Sequence, residues 1–134
     1  MKDLKYLKPA RYSDNRGFFA ETYSEKAYID LGIDVRFVQD NHSLSREVGT
    51  LRGLHFQVPP NGQGKLVRCG RGSIFDVAVD IRKGSSTYGQ WKGYYLSAEN
   101  GHQLYVPIGF AHGFVTLSDS STFTYKVDNY YAPE

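Results

Sequence analysis

The sequence predicts an all-β domain folded as a sandwich or barrel of short strands, with a jelly roll as the best single description. Three observations carry this. Eleven Tyr and eight Phe accompany fourteen Gly in a chain of 134 residues, a composition suited to strands joined by tight turns. Eight or more apolar or alternating runs succeed one another at spacings of about 8–12 residues, separated by Gly, Ser, Asn or Pro. No run approaches the ~20 apolar residues of a membrane-spanning helix. Periodicity alone does not separate a jelly roll from other β-sandwiches. The length sets the expectation at one domain over residues 1–134, large enough for a hydrophobic core.

Leu4 to Tyr12 alternates loosely and reads as a first strand. Ser13-Asp14-Asn15-Arg16-Gly17 is a turn, since Asp and Asn tolerate the left-handed region and Gly supplies positive φ. Phe18 to Tyr23 then completes a hairpin. Ser24 is placed to cap a helix of about two turns, with Glu25 in its first turn and Gly32 as its stop. Val35 to Ser45 reads as a strand, broken by Gly49. Leu51 to Gln57 is the central strand, and Val58 to Gly64 a loop. Lys65 to Cys69 and Ser73 to Ile81 form a hairpin about Gly70-Arg71-Gly72. In the second of these, Phe75, Val77, Val79 and Ile81 share one face, and Asp76, Ala78 and Asp80 the other. Trp91 to Leu96, Leu104 to Val106, His112 to Leu117 and Thr122 to Val127 are four further strands.

The remaining composition narrows the function classes. A net charge of +2 is too small to argue for nucleic acid. The single Cys69 excludes an intrachain disulfide framework and fits a reducing, cytoplasmic compartment. Met1-Lys2-Asp3-Leu4-Lys5 opens without a long apolar segment, so no secretory signal is expected. No membrane association is expected either.

Chemistry concentrates in Arg52-Gly53-Leu54-His55-Phe56-Gln57, followed by a Pro- and Gly-rich loop and Lys65. Histidine titrates near neutral pH and suits a proton-abstracting base, while Arg and Lys suit an anion clamp. Strict alternation puts Arg52 and His55 on opposite faces of one strand. For both to meet one substrate, Gly53 must mark a bulge or twist, or one side chain must serve a neighbouring subunit.

Gly101-x5-Pro107-x-Gly109-x2-His112 resembles the second half of the cupin signature, which sits on a jelly-roll barrel. Gly49-x5-His55-x-Gln57 has the glycine-to-histidine spacing of the first half. Where metal cupins carry a second His and a Glu, this chain has Gln57 and, nearby, Gln63. Amides are poor ligands for iron, manganese or zinc, so no metal is expected; no other cofactor is expected either. The alternative is that His55 and His112 are hydrogen-bonded barrel histidines.

A more specific resemblance runs through nearly the whole chain. It is carried by Asp14-x-Arg16-Gly17-Phe18-Phe19-x-Glu21-Thr22, Phe37-Val38-Gln39-Asp40-Asn41-x-Ser43, Arg52-Gly53-Leu54-His55-Phe56-Gln57 and Gln63-Gly64-Lys65-Leu66-Val67. It continues through Phe75-Asp76-Val77-x-Val79-Asp80-Ile81-Arg82, Pro107-x-Gly109-Phe110-Ala111-His112-Gly113-Phe114, Tyr125-Lys126 and Tyr130-Tyr131. In this order and spacing they resemble the dTDP-4-dehydrorhamnose 3,5-epimerases, metal-free cupin enzymes.

The resemblance implies an isomerase that inverts C3 and C5 of dTDP-4-keto-6-deoxy-glucose, giving dTDP-4-keto-rhamnose. A C3- or C5-only mono-epimerase and a non-catalytic nucleotide-sugar-binding cupin are the alternatives. It implies His55 as base, Lys65 on the enolate oxygen and Tyr125 as the acid on the opposite face. It places Arg16, Phe19, Glu21, Gln39, Asn41, Arg52, Lys65 and His112 around the dTDP-sugar, with Tyr131 stacked on thymine. It also implies a homodimer whose N-terminal strands join the partner's sheet. In the family an aspartate after the last barrel strands orients the base. That segment is expected to be absent here, with some nucleotide contacts. Asp76 is the best substitute within the chain, since an acid in so apolar a strand must find a partner. A backbone or Arg partner is the alternative for Asp76. Arg46, Arg68, Arg71 and Arg82 read as solvated surface charges.

Overall fold

The computed structural model describes residues 3–57 and 62–130. Two antiparallel sheets dominate it. One contains, in spatial order, β1 (Lys5–Leu7), β9 (Gln103–Val106), β6 (Lys65–Arg71), β11 (Ser121–Val127) and β4 (Gln39–Ser45). The other contains β5 (Leu51–His55), β10 (Phe110–Thr116), β7 (Ser73–Asp80) and β8 (Trp91–Ser97). A separate hairpin pairs β2 (Tyr12–Asp14) with β3 (Gly17–Phe19). This is the all-β jelly-roll class expected, with a single short helix, α1 (Glu25–Asp30).

Alternation along the strands builds the core. Val67 and Cys69 of β6, Leu104 and Val106 of β9, Ile74 and Ala78 of β7, Phe110 and Phe114 of β10 and Phe123 of β11 meet between the two sheets. The intervening Leu66 and Tyr105 point to the other face of the five-stranded sheet. There they pack with Tyr28 and Ile33 from α1 and the turn after it. The helix starts and stops as its residues dictate. Ser24 accepts from the Ala27 amide, and Gly32, at φ +91°, lets its own amide reach Ile29 and that of Ile33 reach Tyr28. This is the left-handed termination that glycine permits at least cost.

Two strand expectations are corrected. Leu4 to Tyr12 is not one strand: Pro9, which lacks an amide donor, separates β1 from β2, and the hairpin forms between Tyr12–Asp14 and Gly17–Phe19. Val35 to Phe37 does not join β4. Val35 and Phe37 instead pack into the cluster beneath α1, and the ladder begins at Gln39. In β7 the acid-bearing face is the buried one: Ile74, Asp76, Ala78 and Asp80 are at most 0% exposed, while Phe75, Val77 and Val79 are half-buried on the outside.

Arg82 is not a solvated charge. It wraps the buried Asp80, donating through its backbone amide, Nε and Nη2 at 2.9–3.1 Å, and it reaches Asp3 through Nη1 at 2.8 Å. Ser85 and Thr87 donate to the same carboxylate. These bonds hold Asp80 far below the usual carboxylate range, and they pin the connection from β7 to β8.

Candidate active site

The site is built at the open edge of the sandwich, where β5 ends its sheet. His112 of β10 stands opposite His55, and Phe114 stands opposite Arg52. Two positions on β10 therefore match three on β5, so β5 carries one extra residue. Gly53 makes this possible. Its φ is +105°, and a Cβ there would lie 2.7 Å from the His112 carbonyl oxygen and 2.8 Å from Gly113 Cα. His112 and Phe114 share the inner face, so the bulge turns Arg52 and His55 to that same face. Of the readings left open by strict alternation, the bulge is the one the backbone adopts. Arg52 then crosses to β4, donating Nε to Ser45 Oγ at 2.9 Å and Nη2 to the Leu44 carbonyl at 3.2 Å.

Behind His112 lies Asp76. Both are buried, and Asp76 Oδ1 is 2.5 Å from His112 Nε2. The approach is governed by charge more than by hydrogen-bond direction. Neither carboxylate oxygen finds a hydrogen-bond donor among the described residues. Asp76 therefore meets His112; the contact expected with His55 is replaced by this one. The strand order explains why: His55 sits on the outermost strand, whereas Asp76 faces inward from β7, with β10 between them. The Phe123 ring stacks on His112 at 5.8 Å between centroids, and on Phe114 at 4.3 Å.

Lys65 enters from the opposite sheet, at the start of β6. Burial pushes its ammonium below the usual lysine range, and the Asp76 charge partly opposes this. Its Nζ lies 5.8 Å from the centre of the Tyr125 ring. Tyr125 stands opposite Asn41 on β4, and Gln39 donates Nε2 to Asn41 Oδ1 at 2.8 Å. His55 is exposed at the edge, yet its imidazole is held below the ordinary histidine value, first by burial, then by Lys65 and His112. The fold thus gathers His55, Lys65, Asp76, His112, Tyr125, Arg52, Gln39 and Asn41. An uncharged imidazole beside cations can take a proton from an acidified C–H while the cations hold the resulting oxyanion. A phenol in the same cleft is a proton donor.

Other expected residues lie elsewhere. Arg16 and Phe19 sit on the β2–β3 hairpin, with Glu21 just after it, and this hairpin belongs to neither large sheet. Arg16 is held by Asp14 at 2.6 Å and Phe19 is 64% exposed. Tyr131 lies outside the described residues. Gln63 donates Nε2 to the Asn129 carbonyl at 2.8 Å, tying its loop to the chain after β11. Sequence reasoning missed Ser45 and Phe123, which steady Arg52 and His112. Their strand position, two or four residues from Asn41 and Tyr125 on the same face, was the available signal.

Comparison with known proteins points to one family. The dTDP-4-dehydrorhamnose 3,5-epimerase family matches residues 1–134. A Salmonella typhimurium dTDP-4-dehydrorhamnose 3,5-epimerase is 58% identical over 132 residues, which is 98% of this chain and 72% of the relative. The structure of the Bacillus anthracis epimerase with TDP and PPi bound superposes with a TM-score of 0.96 at 53% identity, covering 98% of this chain and 75% of that one. The Legionella pneumophila enzyme in complex with dTDP-4-keto-L-rhamnose gives 0.94 at 53% identity, covering 99% and 70%.

Proposed function

The chain belongs to the dTDP-4-dehydrorhamnose 3,5-epimerase family, and from that premise we propose how its own residues divide the reaction. The protein is an isomerase that inverts C3 and C5 of dTDP-4-keto-6-deoxy-D-glucose to give dTDP-4-keto-L-rhamnose. The C4 carbonyl acidifies the C–H bonds on either side of it. His55 removes the proton, the electron pair moves to the C4 oxygen as an enolate, and Lys65 holds that oxygen. Tyr125 returns a proton to carbon from the opposite face of the ring. His55 then loses its proton to solvent and Tyr125 regains one from it, and a second cycle at the other carbon completes the double inversion.

One observation supports this reading above the others. Histidine, ammonium and phenol converge from β5, β6 and β11 on one cleft, with the imidazole biased toward its uncharged form. Arg52, Gln39, Asn41 and His112 line the same cleft and are assigned to the sugar nucleotide. Tyr131 is assigned to the thymine ring.

A homodimer is part of the proposal. The outer face of the four-stranded sheet carries Leu51, Trp91 and Tyr95, at 74%, 61% and 66% exposed, around half-buried Phe75, Val77 and Val79. So continuous an apolar face fits a second copy of the chain. The hairpin, with exposed Tyr12, Phe18 and Phe19, would carry Arg16, Phe19 and Glu21 into the partner's cleft. No helix among the described residues is long and apolar enough to cross a membrane. A cytoplasmic location is proposed, supported by the buried free Cys69.

The experiment is proton exchange in D2O with dTDP-4-keto-6-deoxy-glucose, followed by NMR. Deuterium at C3 and C5 with inversion is expected. Deuterium at one carbon alone would reassign the protein as a mono-epimerase. Bound dTDP with no exchange would make it a binding module.

A further inference from the structure

Asp76 is an expensive residue where it stands. A carboxylate shut away from water between Ile74 and Ala78 remains ionised only with a cation against it. The titratable and charged groups around it are His112 from the neighbouring strand β10, Tyr94 directly opposite on β8, Lys65 from β6, and, beyond His112, His55 and Arg52 from β5 and Tyr125 from β11. Among the described residues its one ion pair is with His112, Nε2 to Oδ1 at 2.5 Å, and neither oxygen has a hydrogen-bond donor there. An imidazole that carries its proton on Nε2 meets a carboxylate at that distance as an ion pair.

His112 in turn stands directly opposite His55 across the β10–β5 ladder. A charge placed on His112 is therefore next to the base. We propose that Asp76 acts as a positioning residue through His112, fixing it as a buried imidazolium that stabilises the enolate and keeps the neighbouring His55 unprotonated. The proposal rests on the reading of His55 as the base.

The arrangement is self-consistent electrostatically. Asp76 supports the positive charge of Lys65, and Lys65 and His112 both act against protonation of His55. One buried anion therefore holds two cations, and the two cations hold the base neutral. Asp76 never touches the substrate in this scheme. Phe123 stacked over His112 shields the pair from solvent, which strengthens each of these interactions.

The test is 15N NMR of the imidazoles in the full chain, assigned by replacing the four histidines one at a time, from about pH 5 to 8. The expected result is His112 with both nitrogens protonated throughout, while His55 titrates. In Asp76→Asn, His112 is expected to lose its second proton, and the acid limb of the exchange rate to move to higher pH, because His55 no longer sits beside a cation. A purely structural Asp76 would lower the rate without moving that limb. A neutral His112 in the unmutated protein would overturn the proposal, and so would an Asp76→Asn variant with unchanged histidine titrations. If Asp76→Asn fails to fold, the unmutated spectrum alone decides. Exchange that survives in His55→Ala would overturn the base assignment instead, and the ionisation of His112 would still be read directly.

Discussion

Arg52 and His55 share one face of β5 although they are three positions apart, because Gly53 opens a bulge between them. Their partners Phe114 and His112 are two positions apart on β10. The bulge is what lets a guanidinium and a base serve one cleft. Gly53→Ala forces a side chain into left-handed backbone and against the His112 carbonyl. We expect a loss of at least about 2 kcal/mol and a clear drop in Tm by calorimetry. Whatever protein folds should exchange C–H protons poorly, since the strand would regain strict alternation.

His55→Ala is expected to lower proton exchange at both carbons by at least about 10²-fold, with dTDP affinity by calorimetry within a few-fold of the parent. The cleft keeps Arg52, Lys65 and His112, so binding and proton removal should separate. Parental exchange in this variant would remove His55 from the mechanism.

Tyr125→Phe leaves the base and both cations in place. Deuterium should still enter the substrate, while the yield of inverted product falls. An unchanged product yield would mean that the proton comes from another group.

The shifts at His55 and Lys65 give the pH profile its shape. Exchange requires uncharged His55, so its rate should rise through a pKa below the ordinary histidine value of 6.5. It requires charged Lys65, so it should fall through a pKa below the ordinary lysine value of 10.5. Folding is linked to the first of these. Below pH 6.5 the unfolded imidazole takes up a proton before the folded one does, so the contribution of His55 to stability is lost as pH falls through that window. Rate profiles and denaturant titrations at matched pH values check both statements.

Much of this was legible in the residues. Ser24 and Gly32 bracketed α1 because capping chemistry is local, and the strands from Lys65 onward were separated by turns whose residues left little choice. The inward turn of Asp76 was not legible. Its strand offers a face of Phe75, Val77 and Val79 that hydrophobicity alone would bury, and only the assembled sheets place the acids inside. The bulge at Gly53 was foreseen as one option, since alternation and function disagreed there. The pairing of Asp76 with His112 depends on which strand lies between β7 and β5, and that order is set by tertiary packing alone.

The β2–β3 hairpin divides the proposed binding residues into two genetically separable sets. Mix an Arg16→Ala subunit, which keeps His55, with a His55→Ala subunit, which keeps Arg16. If the hairpin serves the neighbour, half of the randomly formed dimers contain one fully furnished cleft. Two inactive proteins should then recover roughly a quarter of parental turnover on co-refolding. If the hairpin serves its own chain, every cleft in the mixture lacks one residue or the other, and nothing returns.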